Sequence, residues 1–185
     1  MTLDEIFAVS RRAVCLHTEA EVEAAIAALA DQVSAVLKFR NPLLLCLMNG
    51  GLIFSGKLLT KLHFPLQVDY LHATRYRNKT HGSDLEWHRF PEISMHGRDV
   101  LVLDDILDEG ATLAAVVNHC RSHGAAEVLT AVLVDKLHDR KVEGIKADFV
   151  GLNVEDRYIY GYGMDYHGYL RNAAGIFAVD QSDCD

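Results

Sequence analysis

Apolar positions along this chain change their spacing several times, and each change marks an element. Between Glu19 and Lys38, Val22, Ile26, Leu29, Val33 and Leu37 recur every three or four residues. That spacing predicts a helix with one buried face. Asn41-Pro42 ends it, because the residue before proline is driven out of the helical region. Leu43 to Met48 is a continuous apolar run, which suits a strand covered on both faces. Asn49-Gly50-Gly51 reads as a turn, Leu52 to Leu62 as a helix and Leu66 to His72 as a strand. Residues 73–97 are polar and poorly periodic, and are expected to form one long loop. A loop of that length in a compact domain is more often a functional flap than a neutral link.

The remainder follows the same alternation. Val100 to Leu103 predicts a strand and Thr112 to His123 a helix closed by Gly124. Glu127 to Val134 and Asp148 to Val154 predict two further strands. Alternating strands and helices imply an α/β domain with a parallel sheet flanked by helices and right-handed crossovers. Its ligand sites are expected beyond the carboxyl ends of the strands. Residues 1–18 and 155–185 are each too short for a domain. They are expected to form a small hood lobe over a core of about 19–154, so that 1–185 is one domain.

Composition narrows the function. The formal net charge is -8, which argues against an electrostatic nucleic-acid binder. Half of the residues are hydrophobic, enough for a sizeable core, yet no apolar stretch is long enough for a transmembrane helix. Cys15, Cys46, Cys120 and Cys184 show no zinc-ligand spacing, and free thiols in a cytoplasmic protein are the simplest reading. His119 and His123 lie four apart on a predicted helix. No third ligand accompanies them, so a surface pair is expected rather than a metal site.

The chemistry concentrates in Val100-Leu101-Val102-Leu103-Asp104-Asp105-Ile106-Leu107-Asp108-Glu109-Gly110-Ala111-Thr112. A buried strand here delivers two acids, then a third, then a glycine loop and a hydroxyl at a helix N-terminus. Such an end can hold a sugar phosphate together with its cation. The stretch resembles the phosphoribosyl pyrophosphate (PRPP) signature of type I phosphoribosyltransferases. Three further segments narrow the likeness: Met48-Asn49-Gly50-Gly51 after a strand, Lys136 at a strand end, and Tyr158-Ile159-Tyr160-Gly161-Tyr162-Gly163-Met164-Asp165 followed by Arg171. Together, from about Leu43 to Val179, they resemble the hypoxanthine-guanine phosphoribosyltransferases of purine salvage.

The resemblance implies a magnesium-dependent enzyme that converts hypoxanthine or guanine and PRPP to the nucleotide and pyrophosphate, assembled as a homodimer or homotetramer. It implies that Asp104 and Asp105 hold the ribose hydroxyls and a metal ion, with Ile106 among the substrate contacts. The loop Asp108, Glu109, Gly110, Ala111 and Thr112 wraps the 5′-phosphate, and Asp108 also faces N7 of the purine. Lys136 donates to the 6-oxo group, Tyr158 stacks on the base and the Ile159 main chain meets its edge. Asp165 carries a second metal ion and Arg171 neutralises pyrophosphate. Asn49 and Gly50 meet pyrophosphate from the other side, across a cis peptide after Met48, and Tyr76 closes over the centre. Many family members carry a basic residue where this chain has Asn49, and Ser where it has Arg75. Arg75 is therefore expected to restore charge near pyrophosphate.

Elementary chemistry agrees. A polyanion with a pyrophosphate leaving group suits Mg²⁺, which takes few carboxylates and keeps several waters. Loss of pyrophosphate gives the sugar oxocarbenium character, as in glycosidic cleavage. A carboxylate at the purine nitrogen can act as general base, worth about 10²–10⁴ in rate. A lysine at the 6-position favours an oxo over an amino group, since donor would otherwise face donor. Two other readings compete: a PRPP-binding regulator of the same fold, and a transferase preferring xanthine or adenine.

Overall fold

The computed structural model describes residues 1–75 and 85–184. Thr2 opens helix α1 (Leu3–Arg12) with a capping box to Glu5. Strand β1 (Val14–Thr18) follows, and Thr18 caps α2 (Glu19–Leu37) by the same device with Glu21. Val22, Ile26, Leu29, Val33 and Leu37 are all fully buried, as their spacing requires. Each such aliphatic side chain contributes about 1.5–3 kcal/mol relative to exposure, against about 1 kcal/mol for a cap. Packing therefore holds α2, and the cap sets where it begins.

Next come β2 (Leu43–Met48), α3 (Gly51–Leu59), β3 (Gln67–Arg75), β4 (Leu85–Arg89) and β5 (Asp99–Leu107). After α4 (Ala111–Ser122) lie β6 (Glu127–Leu137), β7 (Phe149–Glu155), β8 (Ile159–Tyr160) and β9 (Gly175–Ala178). Six strands form the main sheet in the order β4-β3-β2-β5-β6-β7. β2, β3, β5, β6 and β7 run parallel, whereas β4 pairs antiparallel with β3. α2 and α3 cover one face through a cluster around Phe54, Leu101 and Leu133, and α4 packs in a second cluster around Leu45, Val102 and Val116. A separate antiparallel sheet, β1-β9-β8, joins the two ends of the chain. Val9, Tyr160, Tyr166 and Val179 are packed together there. Among the described residues no helix is long and apolar enough to cross a membrane.

Several boundaries differ from the expectations, and β6 also runs on to Leu137 rather than ending at Val134. The polar stretch from Ala73 is not one loop, because β3 runs on to Arg75 and β4 returns beside it. β4 is an edge strand whose Trp87 packs against the second cluster while its neighbours face water, so its polarity hid it. β5 extends past Leu103 to Leu107, because β6 keeps pairing with it as far as Asp135. The acids Asp104 and Asp105 thus lie within the strand. α3 stops at Leu59 rather than Leu62, where the amides of Lys61 and Leu62 turn back three residues, to Leu58 and Leu59.

Candidate active site

The carboxyl ends of β2, β3, β5 and β6 open into one cleft of about 380 Å³. It is lined by Asn49, Gly50, Asp104, Asp105, Ile106, Asp108, Glu109, Gly110, Thr112, Lys136, Tyr158, Ile159, Asp165 and Arg171. The structure thus brings together all fourteen of these predicted positions, from four separate stretches of the chain (49–50, 104–112, 136 and 158–171). Ala111 opens α4 behind Gly110 and is not part of the lining. Arg75 ends β3, one residue beyond Thr74, which lines the cleft. Tyr76 lies outside the described residues.

Asp104 and Asp105 are both buried, at 9% and 7% exposure, and the amide of Asp105 donates to Asp104 Oδ1. Burial, reinforced by the neighbouring Asp105 charge, pushes Asp104 well above the ordinary carboxylate range, and burial also raises Asp105. Gly50 presses against this pair: a Cβ there would meet Asp105 Oδ2 at 2.2 Å. Only glycine permits that approach. The Met48–Asn49 peptide bond that leads into Gly50 is cis.

Beyond β5 the chain turns at Gly110, whose φ of 83° belongs to the left-handed region that glycine tolerates. A Cβ at this position would also collide with Ile145 and Leu107. The turn aims the N-terminus of α4 into the cleft, where free amides and the Thr112 hydroxyl can meet an anion.

The opposite wall is basic at its centre. Lys136 is buried, and its Nζ lies 3.1 Å from Asp108 Oδ2 and 3.7 Å from Asp156 Oδ1. His138 Nε2 lies 2.7 Å from Asp108 Oδ1. Burial pushes Asp108 up, but the hydrogen bonds from His138 and Lys136 outweigh it, and the carboxyl sits below its ordinary range. Asp156 is drawn down to about 2, chiefly by Arg140, whose guanidinium grips both its oxygens. The ammonium of Lys136 has three donors, so it can keep Asp108 and still present one to a ligand.

Tyr158 forms the side of the cleft, half-buried and tilted against Tyr166 at 5.4 Å between ring centroids. Its hydroxyl accepts the amide of His167, which fixes the ring. Arg171 donates to the Gly163 carbonyl at 2.6 Å and pairs with Asp165 at 2.6 Å.

Sequence reasoning missed His138, Asp156 and Gly163. His138 could have been found by strand parity, since it lies two residues after Lys136 and so on the same side. Gly163 packs so closely on the Gly50 carbonyl that a Cβ would approach within 2.0 Å. No local pattern announces that contact. Asp156, immediately after β7, becomes visible only once β6 and β7 are known to be neighbours.

Asp108, His138 and Asp156 place potential ligand atoms within 4.8 Å of one another. The ammonium of Lys136 pairs with both acids of that group, so a fixed cation already neutralises it. Asp104 and Asp105 fit a divalent ion better. They are buried acids with no ion pair to a basic side chain among the described residues, although the charge of Arg171 acts on Asp105.

Residues 16–167 match the family model described as the phosphoribosyl transferase domain. The chain is 30% identical over 167 residues to the hypoxanthine-guanine-xanthine phosphoribosyltransferase of Tritrichomonas foetus, covering 90% of this chain and 91% of that protein. It is 32% identical over 158 residues to the hypoxanthine-guanine phosphoribosyltransferase of Bacillus subtilis (strain 168), covering 85% and 87%. A solved hypoxanthine-guanine-xanthine phosphoribosyltransferase superposes with a TM-score of 0.83 at 28% identity, over 91% of this chain and 97% of that one. With the acid-bearing strand end, the glycine turn and the lysine wall in one cleft, these likenesses assign the chain to the hypoxanthine-guanine phosphoribosyltransferase family.

Proposed function

We propose that the cleft transfers the phosphoribosyl group of PRPP to hypoxanthine or guanine, releasing pyrophosphate and leaving IMP or GMP. The observation that carries this reading is the meeting, in one cleft, of the buried Asp104-Asp105 pair, the Gly110 turn before α4 and the Lys136 ammonium.

The amides of the turn and the Thr112 hydroxyl receive the 5′-phosphate, helped by the positive end of α4. Asp104 and Asp105 accept from the ribose hydroxyls, and Ile106 packs beside the sugar. Asp104, Asp105 and Asp165 would hold Mg²⁺, which supplies charge neutralisation for pyrophosphate as it departs. Arg171 adds a permanent positive charge on the same side, with Asp165 holding its guanidinium in place. Asn49 and Gly50 offer backbone amides, and Arg75 replaces the charge that Asn49 lacks.

On the base side, Tyr158 stacks against the purine while the Ile159 main chain meets its edge. Lys136 donates to the 6-oxo group. Asp108 accepts the proton that the ring loses as its nitrogen attacks C1′. The low position of Asp108 keeps it ionised at neutral pH, ready to act as acceptor. We further propose a cytoplasmic enzyme, in keeping with its four free cysteines, working as a homodimer or homotetramer. Exposed Leu52, Val68 and Tyr70 beside an apolar groove between α3 and β3 support such assembly.

The test is steady-state turnover with PRPP and Mg²⁺ on hypoxanthine, guanine, xanthine and adenine in competition. Pyrophosphate release with the first two and little with adenine is expected. Preference for adenine would reject the assignment of Lys136. Tight PRPP binding without release would show a regulator instead.

A further inference from the structure

The Asp108 carboxylate is held from two sides. Lys136 approaches Oδ2 at 3.1 Å, and His138 approaches Oδ1 at 2.7 Å. The geometry also fixes where the imidazole carries its hydrogen. The backbone amide of Arg140 donates to His138 Nδ1 at 3.1 Å. A ring nitrogen that accepts has no hydrogen of its own, so the hydrogen sits on Nε2 and points at Asp108. The ring cannot turn away easily, because its side chain is only 4% exposed.

One donor would leave the carboxylate free to swing, since the torsion to an sp² carboxyl is broad. Two donors, one on each oxygen, remove that freedom. Each oxygen keeps a second lone pair for a ligand. We propose that His138 is a positioning residue of the transfer reaction: it clamps Asp108 in the orientation that meets the purine nitrogen. The inference rests on the reading of Asp108 as the proton acceptor.

Other charges face the same spot. Lys136 comes from β6, Arg140 from the turn after it, Asp156 from the end of β7, and Glu109 from the segment after Asp108 itself. Lys136 donates to Oδ2 and Arg140 to Asp156, whereas Asp108 Oδ1 is where His138 sits.

The experiment compares His138→Gln, His138→Asn and His138→Ala with the unaltered enzyme, measuring kcat, the KM for PRPP and the pH dependence of kcat/KM. Glutamine can place an N–H where Nε2 was; asparagine is polar but too short to reach. The asparagine and alanine variants are expected to lose about 10–100-fold in kcat, the scale of a small misplacement of a reacting group, with the KM for PRPP within about twofold. Their acidic limb should move to higher pH, because a carboxylate that loses a donor is protonated more easily. Glutamine should restore most of kcat and return the limb. If the alanine variant fails to fold, the contrast between Gln and Asn still decides. An asparagine variant with unchanged kcat and unchanged limb would overturn the proposal, as would a loss confined to the KM for PRPP. Asp108→Asn run alongside separates the two levels. If it keeps both turnover and the acidic limb, the reading of Asp108 itself is wrong. If it loses them while His138→Asn does not, only the role of His138 falls.

Discussion

Asp104 and Asp105 stand four and three residues from Asp108, in one unbroken segment, yet the cleft treats the pair and the third acid in opposite ways. The first two are buried side by side, and their carboxyls are raised by burial and, for Asp104, by the charge of its neighbour. Asp108 is half-buried between Lys136 and His138, which hold it low despite its burial. Residue type therefore does not set the task; the partners do. A pair that is costly to ionise alone is suited to receive a cation. A carboxylate that stays ionised between two donors is suited to receive a proton at a fixed place.

The widest gap between the two kinds of acid should appear on substituting Asp108. Asp108→Asn is expected to lower kcat by about 10²–10⁴ with little change in PRPP binding. Steady-state kinetics with PRPP varied would check this, and a lost PRPP affinity with intact turnover would erase the distinction. Next comes the wall opposite. Lys136→Ala is expected to cut the preference for hypoxanthine over adenine by about 10–100-fold, the scale of one buried hydrogen bond to a charged group. Competition between the two bases measures it directly.

The third prediction concerns stability. Asp104→Asn with Asp105→Asn should abolish turnover yet raise Tm in metal-free buffer at pH 7. Both folded carboxyls lie above the unfolded value of about 3.9. The unaltered protein therefore loses stability as pH rises from there through the folded values. The double variant escapes that loss, so its advantage should be present at pH 7 and vanish near pH 3. About 2–4 °C per kcal/mol is expected for a chain of this size. Calorimetry at the two pH values would decide, and added Mg²⁺ should narrow the gap at pH 7 by binding only the parent. The smallest effect belongs to Asp156→Asn. Asp156 is exposed and bound mainly to Arg140, and exposed pairs contribute little, so kcat should change by less than about threefold.

Much of this contrast is legible in the sequence. The apolar run into Asp104 and Asp105, and the spacing to Asp108, Gly110 and Thr112, showed an anion-holding strand end. The likeness to a known family then added Lys136, Tyr158 and Arg171. Strand parity puts His138 on the same side as Lys136, but that either donor reaches Asp108 follows only from the register in which β5 and β6 pair. The sequence also could not show β4, whose half-buried Trp87 sits among polar residues that read as loop. The closeness of Gly50 and Gly163 to Asp105 arises where separate segments pack, and no local pattern encodes it.

The most direct test of the division between the acids is a carboxyl-carbon NMR titration of Asp104, Asp105 and Asp108 in the metal-free enzyme. Asp108 should titrate below the ordinary aspartate range and Asp104 above it. Titration of all three together, or in the reverse order, would contradict the assignment of one pair to the cation and the other carboxylate to the proton.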